Sequence, residues 1–389
     1  MSKEIVHYDM DPIESKGATI NLIWGERANG KSYQVKHKRG VLAYLQGFIN
    51  HISNYNDKEK IIEESIKKGT RFILLRRWRE EISTDKIEKY FSDVDIQKIT
   101  DGKYNCVLMY KKTLYLGLYD FETGKASKHE IIGYVCALST EQNYAGVSYL
   151  DVTNIIFEEF MSRNVYLANE PAKLMNFYST VDRKRGTTRL WLVGNSISRV
   201  CPYLQDWGLQ SIIDKQKQGE IKTLWIPTGD IDPDTKKPIE VKLAIEYCKS
   251  TGASSYAIGN HASMLNTGSW QTDPQPHLSK SKKCYNILYR LVFYYKGFKF
   301  LAEYLSDKET TESLWFIFPY DGEIDEKTLV ISDIIKQSPL WQRNVYDVRG
   351  INEDIKDLLY NTFRENQIFY SSDLAGTDFK QVIDFEIKR

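Results

Sequence analysis

Short apolar runs punctuate the chain at residues 18–24, 70–75, 130–138, 152–160 and 189–193, each about the length of a buried strand. Between them, residues 32–52 read as a helix interrupted by Gly40. Residues 58–68 read as an amphipathic helix carrying Ile61, Ile62 and Ile66 at helical spacing, and residues 169–181 as a further helix. Core strands near residues 20, 73, 134, 155 and 191, with helices between several of them, predict an α/β sandwich around a mostly parallel sheet. Residues 104–110 and 113–119 are β-rich runs around Lys111 and Lys112. That is a hairpin with a basic tip, which could serve solubility or grip a phosphate backbone.

Beyond residue 200 the pattern loosens. Residues 201–219 read as the end of the first domain and a helical connector; residues 220–227 and 239–247 are β-like around a turn-rich loop at 230–238. Residues 250–276, rich in Gly, Ser, Asn and Thr, read as linker and hinge. After Lys280, Lys282 and Lys283 come a strong hairpin (284–295 and 298–305), a third strand (314–319) and a helix-like stretch at 351–364. The expected organisation is a first domain at 1–210, a linker or hinge region at 211–276 and a second α/β domain at 277–389.

Composition narrows the class without naming it. The 389 residues are 42% hydrophobic and 27% charged, as in an ordinary soluble globular protein. The 53 basic and 52 acidic residues nearly cancel, so any nucleic-acid contact must come from local patches. Cys106, Cys136, Cys201, Cys248 and Cys284 include no C-x-x-C pair, and the six histidines form no metal-binding or triad-like group, which fits a reducing compartment. Residues 1–14 are polar and acidic, and no apolar run reaches membrane-spanning length, so the expected location is cytosolic.

Chemistry concentrates first in residues 21–32, where Gly25, Glu26, Arg27, Ala28, Asn29, Gly30, Lys31 and Ser32 match G-x-x-x-x-G-K-[ST]. The glycines let backbone N–H groups close around phosphates, Lys31 can reach the β/γ oxygens, and the Ser32 hydroxyl can ligate Mg²⁺. A helix beginning there aims its N-terminus at the phosphates. The run 152–160 ends in Glu158 and Glu159. At such a strand end the first acid holds Mg²⁺ through water and the second polarises the attacking water, although Asp is commoner than Glu at the first place. Asn195, at the tip of the 189–193 strand, is placed to sense the γ-phosphate. Arg183 and Arg185, in the basic loop before it, could supply a finger to a neighbour's site or simply be solvated. Arg76, Arg77 and Arg79, where the 70–75 strand ends, could contact phosphates or another subunit, or form a solvated turn. An extra strand between those bearing the two motifs places the domain in the motor (RecA/ASCE-like) branch of P-loop ATPases, and the [NT]-K-x-D guanine-reading motif is absent.

These residues resemble a family. Gly25 to Ser32 with Arg27 inside the loop, Leu75-Arg76-Arg77, Phe157-Glu158-Glu159-Phe160, Arg183-Lys184-Arg185-Gly186 and Leu192-Val193-Gly194-Asn195 follow one another as in the terminase-like DNA-packaging motor ATPases of tailed phages. The likeness is closest to the small packaging ATPases of podophages whose genomes end in a covalent terminal protein. It covers roughly the first 200 residues in motif order and is architectural beyond them. The resemblance implies an ATP- and Mg²⁺-dependent motor that drives double-stranded DNA into a procapsid in the host cytoplasm. It further implies a homo-oligomeric ring, five subunits in the family's pattern, at the portal vertex with an RNA or portal scaffold. In that scheme Gly30, Lys31 and Ser32 hold nucleotide and metal, Glu159 orients water, Arg185 or Arg183 acts across the subunit seam, and Asn195 reports phosphate state. It also implies that residues 277–389 form a ribonuclease-H-like domain. Residues 286–295 lack the carboxylate a two-metal nuclease needs in its opening strand, so this domain is expected to be a vestigial nuclease that binds nucleic acid. Another nucleic-acid motor such as a helicase, a terminase with a live nuclease, and a nucleotide-gated scaffold without hydrolysis are the alternatives.

Overall fold

The computed structural model describes residues 7–46, 71–162, 166–196, 198–249, 272–295, 297–334, 336–342 and 367–387. The chain divides into two compact units: the described residues 7–196 and 214–249 belong to the first, and residues 198–213 and 272–387 to the second. The expected helix at 58–68, most of the glycine-rich stretch 250–276 and the helix-like stretch 351–364 lie outside the described residues.

The first unit is built on one sheet. Its strands are β1 (Ile20–Gly25), β2 (Arg71–Arg76), β3 (Cys106–Tyr110), β4 (Thr113–Asp120), β5 (Lys125–Ala137), β6 (Val152–Glu158), β7 (Arg189–Asn195), β8 (Ile221–Ile231) and β9 (Pro238–Tyr247), in the order β3-β4-β5-β2-β6-β7-β1-β9-β8. From β5 to β9 every neighbouring pair is parallel, whereas β3, β4 and β8 join antiparallel at the two edges. Every residue of β1 is buried, and β2, β6 and β7 are buried almost throughout. Sheets covered on both faces select such continuous apolar runs, and this is why the central strands were readable in the sequence. β7 lies between β1 and β6, as the sequence predicted for the strand separating the two motifs.

One expectation needs correction. Residues 221–247 are not linker: β9 pairs in parallel with β1 from Ile20↔Leu243 to Trp24↔Tyr247, and β8 pairs with β9. The first unit therefore runs well past residue 210. The outer half of this hairpin is exposed, which gave it a polar, turn-like composition, but Leu243, Ala244 and Ile245 are fully buried where β9 meets β1. Residues 198–213, with helix Pro202–Asp206, group instead with the second unit. The hairpin turn at Lys111 and Lys112 is made with both residues at positive φ, 47° and 63°. This is the sense of twist that two-residue hairpin turns require.

The second unit contains β10 (Tyr285–Tyr295), β11 (Phe298–Asp307), β12 (Ser313–Pro319), β13 (Leu329–Ser332), β14 (Trp341–Gln342) and β15 (Ile368–Tyr370), ordered β14-β13-β10-β11-β12-β15. β11 pairs antiparallel with both β10 and β12, whereas β13 is parallel to β10, β14 to β13 and β15 to β12. Helix Asp373–Ile387 follows β15, and its Phe379 packs edge-on against Phe293 and Phe300.

Candidate active site

Parallel strands bring their carboxyl ends to one edge of a sheet, where ligands bind in such folds. At that edge Gly25 pairs with Asn195 and Glu158 with Val193, so the ends of β1, β7 and β6 stand side by side. The loop leaving β1 turns into the helix Lys31–Val35 through Gly30, which adopts φ +92°, a conformation open to glycine. Gly30 offers that helix no side-chain cap, and its first N–H, that of Lys31, donates to Asn29 Oδ1 at 3.2 Å. It continues through a π-helical stretch, Lys36–Val41.

Lys31 is 4% exposed and its ammonium donates to the Glu26 carbonyl at 2.5 Å and to Asn195 Oδ1 at 2.7 Å. Both acceptors are uncharged, and burial pulls the Lys31 pKa below its ordinary value. A buried cation held by neutral dipoles is a ready partner for an anion. The side chain of Asn29 is also buried beside this ammonium's loop. Ser32 Oγ donates to Glu158 Oε2 at 3.0 Å, which joins the two motifs directly. Glu158 is 5% exposed, and burial pushes its carboxyl pKa up. Ser32 and Glu158 are the pair that could hold a divalent cation beside an anion on Lys31.

Glu159 sits beyond the strand in the left-handed region, φ +58°, with its side chain largely exposed and Arg76 3.9 Å from its carboxylate. Its backbone is held from below by Arg77. This guanidinium forms a forked ion pair with Glu170 at 2.9–3.0 Å and donates to the carbonyls of Glu159 at 3.0 Å and Phe160 at 2.9 Å. Arg77 and Glu170 are both buried, so Arg77 is neither a solvated turn residue nor a free phosphate contact. Gly194 completes the packing, because a Cβ there would lie 2.8 Å from the Phe160 ring.

The remaining expected residues fall elsewhere. Glu26 is buried, whereas Arg27 and Ala28 are exposed on the loop. Arg185 lies at the opposite end of β6, where it donates to the carbonyls of Tyr149, Leu150, Val152, Val181 and Asp182 and to Thr188 Oγ1. The expectation of an arginine finger at Arg185 is corrected: each guanidinium nitrogen already donates within its own chain, and the side chain is a clamp on the loop. Arg183 is exposed and donates to the Val147 carbonyl at 2.9 Å.

Other contributors to the site carry no motif. The Tyr90 hydroxyl donates to Glu158 Oε1 at 2.6 Å from a helix far upstream in sequence. Tyr8 ties the loop to β9, its N–H donating to the Asn29 carbonyl at 2.9 Å and its hydroxyl to Glu246 on β9 at 2.7 Å. Glu246 is 6% exposed, and burial pushes its pKa up to about 7. A sequence pattern cannot reveal these partners, because their separation along the chain follows no period.

Residues 37–227 match the family model of the podovirus DNA encapsidation protein (Gp16). Among solved structures, the chain is similar to a component of the bacteriophage Phi-29 viral genome packaging motor assembly at 20% identity, covering 99% of both chains with a TM-score of 0.54. It also aligns with the N-terminal domain of the DNA packaging ATPase from bacteriophage phi29 (24% identity, 62% of this chain and 95% of that one, TM-score 0.39). A third alignment is with the Phi-28 gp11 DNA packaging motor (14% identity, 98% of each, TM-score 0.43). No curated protein matches significantly. The first of these likenesses shows a shared fold along nearly the whole chain, and the family match spans the acid pair and four of the six strands of the parallel core. By that match, the chain is similar over residues 37–227, just under half of its length, to the podovirus DNA encapsidation proteins.

Proposed function

We propose that this protein is the ATP-hydrolysing subunit of a motor that moves double-stranded viral DNA into a procapsid. The observation that carries the reading is the Ser32–Glu158 hydrogen bond beside the Lys31 ammonium, which makes one pocket of two motifs lying 126 residues apart. Mg²⁺-ATP fits this pocket: Lys31 and the remaining backbone N–H groups of the loop and first helical turn would take the phosphates, and Ser32 and Glu158 the metal, which would offset charge developing on the transferred phosphoryl group. Glu159 orients water, and Asn195, already bonded to Lys31, is the group that registers the loss of a γ-phosphate. A ring of subunits, five in the family's pattern, seated at the portal with an RNA or portal scaffold, belongs to the same proposal. With Arg185 committed inside its own chain, Arg183 is the remaining candidate of that loop for a cation acting in trans.

The second unit fits a ribonuclease-H-like domain, because β12-β11-β10-β13-β14 has that fold's order, with the same parallel and antiparallel senses. Its buried carboxylates among the described residues are paired with cations, Glu303 with Lys282 and Arg290, Asp307 with Lys280 and Asp378 with Arg199, which favours nucleic-acid binding over cutting.

Phosphate release measured with and without duplex DNA, for the native chain, Lys31→Ala and Glu159→Gln, tests the reading. Lys31→Ala should abolish nucleotide binding, and Glu159→Gln should bind ATP yet turn over at least 100-fold more slowly. Turnover by Glu159→Gln at the native rate would overturn its role. Hydrolysis accompanied by strand separation without duplex translocation would favour a helicase.

A further inference from the structure

Glu158 stands where most such motors carry Asp, and one extra methylene gives a carboxylate more rotamers to lose. In this chain both of its oxygens are committed: Oε2 accepts from Ser32 at 3.0 Å and Oε1 from Tyr90 at 2.6 Å. Tyr90 is itself fixed from several sides. It ends the helix Thr84–Tyr90, whose N-cap Ser83 accepts from Lys86 N–H, and whose Glu88 accepts the N–H of Met109 on β3 at 2.9 Å. Lys36, in the π-helical stretch that follows the phosphate loop, donates to the Tyr90 carbonyl, lies 4.4 Å from the centre of its ring and pairs with Asp93.

We infer that Tyr90 is a positioning residue for the metal site: its phenol holds the longer Glu158 carboxylate in one orientation, so that the other oxygen faces Ser32 and the cation. The inference deepens the ATPase reading and rests on it. A short hydrogen bond to a charged acceptor inside a buried site is among the stronger neutral–ionic contacts. It also explains how a Glu serves at this strand end: the extra reach that would let it wander is taken up by a donor on a separate element. The phenol donates through its one proton, so Phe at this position keeps the ring against Lys36 and removes the restraint alone.

The test uses the full chain with a non-hydrolysable ATP analogue and Mn²⁺ as the probe, with bound Mn²⁺ read by electron paramagnetic resonance. Tyr90→Phe should weaken Mn²⁺ binding about tenfold, with thermal unfolding of the metal-free protein close to native. Glu158→Asp should also weaken it. In the Glu158→Asp background, Tyr90→Phe should have no further effect, because the shorter side chain does not reach the phenol. Native Mn²⁺ affinity in folded Tyr90→Phe overturns the inference, and so does a second tenfold loss in the Asp background, which would mean that Tyr90 acts through another group. A native chain that binds Mn²⁺ and analogue but releases no phosphate from ATP sinks the hydrolytic reading alone. A native chain that binds neither overturns the reading of the pocket together with this inference.

Discussion

Removing Arg77 should separate the stability of the first unit from the working of its site. In Arg77→Ala the Glu170 carboxylate, 0% exposed, is left without its forked cation, and the carbonyls of Glu159 and Phe160 lose the donor that holds them. Breaking one side of a buried ion pair costs about 3–5 kcal/mol, because an uncompensated charge stays inside. For a unit of this size that lowers the unfolding midpoint by roughly 10 °C. The paired variant Arg77→Met with Glu170→Leu removes both charges and should recover most of that loss, since apolar replacements of buried pairs are often neutral or stabilising. Turnover should not recover with it. The two carbonyls remain unheld, and Glu159 at φ +58° depends on its surroundings to stay in a left-handed conformation. The assay is paired: thermal unfolding by circular dichroism, and phosphate release at saturating ATP, expected to fall at least tenfold in both variants. Native turnover in the refolded double variant would refute the idea that Arg77 positions the water-orienting acid. A midpoint unchanged in Arg77→Ala would refute the buried-pair argument itself.

Three further outcomes follow from other contacts. Glu246 keeps its proton to about pH 7 in the folded chain against an ordinary value of 4.5, so its contribution to stability is full below pH 4.5 and is lost as pH rises through 7. The difference is roughly 3 kcal/mol, and Glu246→Gln, which keeps an acceptor for Tyr8, should flatten that part of the stability–pH curve in denaturant titrations. Arg185→Ala should destabilise the first unit by about 2–4 kcal/mol through its stranded carbonyls, and mixing it with Glu159→Gln subunits should give no rescue of turnover. Gly194→Ala should impair folding or turnover, because the added methyl meets the Phe160 ring at 2.8 Å and displaces the turn after the acid pair.

The loop after β1 and the acids that end β6 could be located in the sequence because each signal is local. A loop that closes on phosphates needs glycine, lysine and hydroxyl at fixed offsets, and a buried strand ending in charge announces its own carboxyl end. The central strands were legible for the same reason, as continuous apolar runs. The second unit's opening hairpin was too, because its two strands adjoin in sequence.

What the amino-acid order determined, then, was every feature whose cause lies within a few residues: the cradle, the acids, the buried strands and the hairpins. Only the tertiary structure decided that β9 completes the sheet beside β1, that Arg185 is spent on carbonyls at the far end of β6, and that Arg77, Tyr90 and Tyr8 converge on the site from three different elements. The physical reason is that pairing and burial are settled by three-dimensional neighbours. An arginine in a basic loop has the same spacing whether it faces solvent or a ring of carbonyls, and hydrogen-bond geometry alone tells the two apart.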